Sequence, residues 1–126
     1  MSGRVLIVED DRISQKMVRD ALRAAGYETD EVHSGELALQ KVAESKPDLI
    51  VMDVRLPGID GLETTRRLKA DTGTAAIPIV AVTAHAMPED ESLIREAGCD
   101  AYMPKPFRFS ALLGVVRDLL ASRRPA

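Results

Sequence analysis

Val5-Leu6-Ile7-Val8, followed at once by Glu9-Asp10-Asp11, is the stretch on which the fold turns. A continuous apolar run rich in β-branched residues marks a strand buried on both faces, the habit of parallel sheets. The period then changes. Ile13, Met17, Val18, Ala21, Leu22 and Ala25 recur at helical spacing and give one apolar stripe, with Gly26 placed to end the helix. A short buried strand feeding an amphipathic helix is the opening of a strand–helix–strand unit, and the rest of the chain repeats it.

Tyr27 to Val32 reads as a second strand whose Glu28, Asp30 and Glu31 suit a sheet edge. Ser34 can cap a second helix running to about Ser45, with Pro47 close behind. Leu49-Ile50-Val51-Met52 is a third strand and Asp53 follows it directly. Leu56-Pro57-Gly58 and Asp60-Gly61 punctuate the turn into a helix of roughly Leu62 to Ala70. Ile77 to Val82 makes a fourth strand, and Pro88 with Glu89-Asp90-Glu91 starts a helix that Gly98 closes. Asp100 to Met103 is a weaker fifth strand. A last helix of roughly Arg108 to Ser122 carries Leu112, Leu113, Val116, Leu119 and Leu120 on one face. Parallel neighbours need crossovers, so the expectation is an α/β fold: a five-stranded parallel sheet doubly wound with five helices. Order 2-1-3-4-5 would put the polar second strand at an edge.

The 126 residues suit one domain. Formal net charge is −3, with 45% hydrophobic and 29% charged residues, the balance of a globular chain. Mild acidity argues against a nucleic-acid binder. No apolar run approaches the roughly 18 residues a bilayer crossing needs, so membrane insertion is not expected. Nor does the N-terminus read as a signal peptide. The single Cys99 cannot form an internal disulfide, which favours a reducing, cytoplasmic compartment.

Ligands of such a sheet bind beyond the carboxyl ends of the strands, where the strand order reverses. There the chain places Glu9-Asp10-Asp11, Asp53, Thr83 and Lys105 after the first, third, fourth and fifth strands. Singly, each has a plain reading: Asp10 or Asp11 as a helix cap, Asp53 as a turn residue, Thr83 as a strand end, Lys105 as a solvated lysine. Together they say more. Clustered acids repel unless a cation neutralises them or their pKa values rise. Carboxylates with open positions suit Mg²⁺, and a nearby ammonium and hydroxyl suit phosphoryl oxygens. The set describes phosphoryl transfer to an Asp nucleophile.

Val8-Glu9-Asp10-Asp11, Asp53 with Pro57 and Gly61 behind it, Thr83-Ala84, and Lys105-Pro106-Phe107 resemble the receiver domain of two-component response regulators, in order from about Arg4 to Leu120. The resemblance implies the CheY-like fold and a phosphorylation switch rather than an enzyme acting on other substrates. Asp53 would accept a phosphoryl group from a sensor histidine kinase or histidine phosphotransfer protein. Glu9, Asp10, Asp53 and the backbone carbonyl of Arg55 would hold Mg²⁺. Lys105 would pair with the phosphoryl group, Thr83 would move to bond it, and Tyr102 would be the aromatic switch. The Lys105-Pro106 bond would be cis, the one peptide type where cis is cheap. Output would pass to a protein target through the face of the fourth helix, fifth strand and fifth helix, and a phosphorylation-dependent homodimer would use the last two helices.

Some positions depart from the commonest pattern. Leu56 replaces a frequent Met, a volume-conserving change. Arg55 and His85, two residues past Asp53 and Thr83, border the approach of water and bear on the lifetime of the phosphorylated form; the plain reading of His85 is a surface loop residue. His33 reads as a loop residue, Cys99 as a small core residue, and Arg117, Arg123 and Arg124 as a solvated helix end. Thr83-Ala84-His85-Ala86-Met87 and Gly98 to Tyr102 most resemble single-domain regulators of the DivK type and hybrid-kinase receivers. Residues 1–126 are therefore expected to be one receiver, core about 4–120, without an effector domain.

Three rivals share parts of this pattern. A flavin-binding carrier would want a Ser/Thr/Gly-rich phosphate loop after the first strand, where Glu9-Asp10-Asp11 would repel phosphate. An Asp-nucleophile phosphatase usually has an acid two residues beyond the nucleophile, where this chain has Arg55. A receiver that is never phosphorylated would be expected to lack key residues, and here all are present.

Overall fold

The computed structural model describes residues 3–84 and 88–122. Its elements alternate along the chain: β1 (Arg4–Val8), α1 (Arg12–Ala24), β2 (Glu28–Val32), α2 (Gly35–Glu44), β3 (Leu49–Asp53), α3 (Gly61–Ala70), β4 (Ile79–Thr83), α4 (Pro88–Ala97), β5 (Ala101–Pro104) and α5 (Phe109–Ser122). The strands form one parallel sheet in the order β2-β1-β3-β4-β5, as the sequence led us to expect.

Alternation along the strands builds two cores. Val5, Ile7, Leu49, Val51, Val80 and Val82 face α1 and α5, where Val18, Leu22, Leu112 and Val116 close over them. Leu6, Val8, Ile50, Met52 and Ile79 face the opposite way, against Ala38, Val42 and Leu68 from α2 and α3. Each fully buried aliphatic side chain contributes roughly 1.5–3 kcal/mol relative to exposure. β2, whose residues are exposed or half-buried, occupies the edge.

The structure corrects several boundaries. β4 begins at Ile79, not Ile77, because Ile77 closes a turn onto Thr74 (N–O 3.1 Å) and Pro78 has no N–H to give a ladder. Ile77 is nonetheless buried, which makes the apolar run look longer than the strand. β5 begins at Ala101: Asp100 turns its carboxylate back to accept from Ile79 N (2.8 Å) and Lys69 Nζ (2.9 Å). The α1 stripe is also narrower than expected. Val18 and Leu22 are buried, but Ile13 is 71% and Met17 49% exposed. These two sit in the first two turns of the helix, where Met17 borders an open cavity with Ile7, Val8 and Val51 instead of closing over them. Cys99 is half-buried against the second core, its thiol pushed up in pKa by that burial. His33 is exposed just after β2. Arg117 is exposed on α5; Arg123 and Arg124 lie outside the described residues.

Candidate functional site

β1 and β3 are neighbours, but the chain leaves β1 toward β2 and leaves β3 toward β4, so their carboxyl ends flank the point where the order reverses. β1 delivers Glu9 and Asp10 there, and β3 ends on Asp53. One carboxylate oxygen from each lies within 4.8 Å of the other two. Glu9 and Asp53 are 6% and 7% exposed, whereas Asp10 faces solvent. Asp11 takes the capping role that the sequence left open between the two aspartates: its side chain accepts from Ser14 N at 2.9 Å. Asp10 is thereby left to the cluster.

Lys105 reaches the acids from the loop after β5. Its Nζ donates to Glu9 Oε1 at 2.8 Å and lies 3.5 Å from Asp53 Oδ2. Two backbone features hold that loop: Lys105 N donates to Thr83 O at 2.7 Å, and the Lys105-Pro106 bond is cis as expected. The other Asp53 oxygen, Oδ1, accepts from Arg55 N at 3.0 Å, which fixes the carboxylate's rotation. The Arg55 side chain is exposed. Thr83 is buried at the end of β4 and borders, with Asp10, Arg55, Asp60 and Asp90, a cavity of about 490 Å³. Tyr102 sits half-buried on β5 beside Ala81, outside the acidic cluster. His85 lies outside the described residues.

On the other side of Lys105, Phe107 and Phe109 meet edge to face (centroids 5.9 Å apart, 84° between planes). With Pro106, Met17 and Val18 they wall a second cavity of about 460 Å³ that reaches Glu9, Asp53 and Lys105. The exposed Met17 thus flanks the acidic centre.

Three carboxylates face one ammonium, and the protonation equilibria reflect the imbalance. Burial, then the adjacent Asp53 carboxylate, raises the pKa of Glu9; Lys105 and the Asp11 N–H oppose this without cancelling it. Burial works against the Lys105 ammonium, but the bond to Glu9 and the charge of Asp53 outweigh it and its pKa is raised. An all-oxygen cluster carrying surplus negative charge fits a hard divalent cation such as Mg²⁺.

Folded Glu9 binds its proton more tightly than unfolded Glu9, so its charge penalises the metal-free fold above the folded pKa. That penalty is relieved as pH falls through the folded pKa. Metal-free Glu9→Gln should therefore be more stable than the parent at pH 7, and the gap should close on acidification. Urea midpoints across pH, taken with chelator present, measure it; a gap that widens with acid contradicts the assignment.

The family model described as the response regulator receiver domain matches residues 5–117. The chain belongs to that family. A curated relative, the polar-differentiation response regulator DivK of Brucella ovis, is 44% identical over 120 residues, covering 95% of this chain and 98% of the relative. The crystal structure of a putative response regulator from Chloroflexus aurantiacus superposes with a TM-score of 0.92 at 37% identity, covering 96% of this chain and 99% of the other. The receiver domain of sensor histidine kinase PA1611 from Pseudomonas aeruginosa, crystallised with a magnesium ion coordinated in its active-site cleft, gives 0.89 at 31% identity, over 96% and 99% of the two chains. This receiver is thus a component of two-component signalling, and its acidic cluster has the makings of a metal site. Among the described residues, no helix is long and apolar enough to cross a membrane.

Sequence reasoning missed the supports of the receiver's site. Gln15 of α1 donates through Nε2 to the carbonyls of both Glu9 and Val32 (3.1 Å each), bracketing the ends of β1 and β2 beside the acids. It stands one turn into the first helix, where a polar residue reads as solvated, and nothing in its spacing distinguishes it.

Proposed function

We propose that Asp53 is the phosphoryl acceptor of a Mg²⁺-dependent switch. The observation that carries this is the meeting of Glu9, Asp10 and Asp53 within 4.8 Å, with Lys105 bound to Glu9 and close to Asp53. Glu9, Asp10, Asp53 and the Arg55 carbonyl would hold Mg²⁺. When bound, the cation supplies charge neutralisation at the incoming phosphoryl oxygens. An Asp53 oxygen forms the new P–O bond as the P–N bond of a phosphohistidine breaks, and the freed imidazole nitrogen takes up a proton. Arg55 N–H orients Asp53 for attack, and the burial of Asp53 limits competing water.

The new phosphoryl group adds charge near −2, by analogy with phosphorylated hydroxyls. Lys105 would pair with it, and the Thr83 hydroxyl at the end of β4 would bond it. Tyr102 and the α4–β5–α5 face would then shift population toward an active arrangement. Reversing a 1:99 ratio takes about 5.5 kcal/mol, within reach of a few charge-assisted hydrogen bonds of roughly 1.5–3 kcal/mol each. Arg55 and His85 would tune how long the adduct lasts. The chain would catalyse its own phosphorylation and dephosphorylation and no other reaction.

The phosphoryl donor would be a sensor histidine kinase or histidine phosphotransfer protein. Output would go to a protein target, or to a second copy, through α4–β5–α5. A cytoplasmic setting is supported by the single, unpaired thiol of Cys99. The test uses Mg²⁺ and a small acyl phosphate such as acetyl phosphate, followed by peptide mass spectrometry. One phosphoryl group on the peptide containing Asp53 is expected, and none with chelator. An unmodified protein, or a modification mapped elsewhere, overturns the reading.

A further inference from the structure

The loop from β3 to α3 carries the backbone that orients Asp53, and its base and its tip are held differently. Val54 anchors the base, its N–H donating to Val82 O (2.9 Å) and its carbonyl accepting from Gly61 N (2.9 Å). Residues 55–60 bulge outward from that closure, tied at the inner end by Arg55 N to Asp53 Oδ1. At the far end Ile59 N donates to Glu36 Oε2 at 3.1 Å, a bond that crosses from α3's approach to the first turn of α2. A bond to a charged acceptor is the stronger kind.

Two glycines make this crossing close. A Cβ on Gly58, which has φ +73°, would lie 3.2 Å from Glu36 Cδ and nearer still to its carboxylate oxygens. One on Gly35 would overlap the Thr64 hydroxyl and come within 2.8 Å of Ile59 Cγ1. The first turn of α2 is therefore seated directly on the loop, and Glu36 is delivered at fixed height. Ile59 N–H, first among its partners, holds the Glu36 carboxyl below the usual carboxylate range, so the strut is charged at neutral pH.

We infer that Glu36 is a positioning residue for the acidic site, its carboxylate acting as a strut that fixes the β3–α3 loop and so the backbone that orients Asp53. The inference rests on the reading of Glu9, Asp10 and Asp53 as a Mg²⁺ site. Glu36 touches neither the cation nor the phosphoryl group. Its effect passes through Ile59, the tip and Arg55.

Isothermal titration with Mg²⁺ alone tests it. Partners one step removed from a metal commonly change affinity 10–100-fold, and an exposed strut further out should fall at the low end. Glu36→Ala is expected to raise the Mg²⁺ dissociation constant roughly 5- to 10-fold and to speed amide exchange at Ile59. Glu36→Gln keeps an oxygen that can accept from Ile59 N and should restore most of the affinity. Gly58→Ala, which pushes the carboxylate away, should weaken Mg²⁺ binding as Glu36→Ala does. Val42→Ala, a cavity beneath the same helix, should lower the melting temperature more than Glu36→Ala yet leave Mg²⁺ affinity unchanged. Affinity within twofold of the parent for Glu36→Ala, or an equal loss in Val42→Ala, overturns the strut. Failure of Asp53 to accept a phosphoryl group in the parent would overturn the acceptor reading instead, and the Mg²⁺ titrations would still decide the strut.

Discussion

Asp53→Asn, incubated with Mg²⁺ and acetyl phosphate, should show no phosphoryl adduct in its intact mass while the parent acquires one. The amide cannot act as the anionic nucleophile, and the variant loses one of the three charges that gather the cation. The fold should survive, because Asn retains an oxygen that can accept from Arg55 N as Asp53 Oδ1 does. A second readout separates loss of chemistry from loss of structure. A cation bound only by the folded state stabilises it by about 2.7 kcal/mol at a hundredfold excess over its dissociation constant. Mg²⁺ should therefore raise the parent's melting temperature clearly and that of Asp53→Asn much less. Survival of the adduct in the variant would transfer the acceptor role to another carboxylate.

Gly61→Ala should be the most damaging single-methyl change in the molecule. Gly61 is the first residue of α3, following its Asp60 cap. A Cβ there would overlap the carbonyl oxygen of Asp53 and stand 2.8 Å from Val54 Cα. The obstacles are backbone, pinned by β3 and by the Gly61–Val54 hydrogen bond, so no side chain can swing aside. Overpacking of this kind costs about 3 kcal/mol, which for a domain of this size lowers the melting temperature by roughly 10 °C. Since the displaced group belongs to Asp53, phosphoryl acceptance should fall even in the fraction that remains folded. Thermal denaturation with adduct yield at low temperature measures both; an unchanged midpoint would mean the loop gives way more easily than its bonds imply.

Much of this was legible beforehand because strand burial on both faces writes itself as unbroken apolar runs. Val5 to Val8 and Leu49 to Met52 announce the central strands, and the acids that follow them mark the strand-end crevice. The ends were less legible. Ile77 is buried by a turn and not by a ladder, and a hydrophobicity pattern cannot tell the two apart. Ile13 and Met17 keep the helical period of a core face yet stay exposed, since periodicity reports direction and not how closely a neighbour packs. As residue types Asp10 and Asp11 could each cap the helix; the family resemblance alone favours Asp10 for the cation, and the hydrogen bond from Ser14 N gives the cap to Asp11. Glu36 and Gln15 act through hydrogen bonds to other segments that no local pattern encodes, and Gly61, legible as a turn residue, does not show in the letters how closely it meets the Asp53 carbonyl.

The bridge from Lys105 to Glu9 spans 96 positions of the chain, and that to Asp53 spans 52. During synthesis both acids leave the ribosome well before the ammonium that offsets them. A nascent chain that has paired β1, β2 and β3 holds its carboxylates together without their counter-charge and without the lysine proposed to pair with the phosphoryl group. Contacts this far apart are closed late, because loop-closure entropy is met before they form. The charge-balanced site is thus completed only when β5 docks, and on the proposed reading a half-made chain would not yet respond.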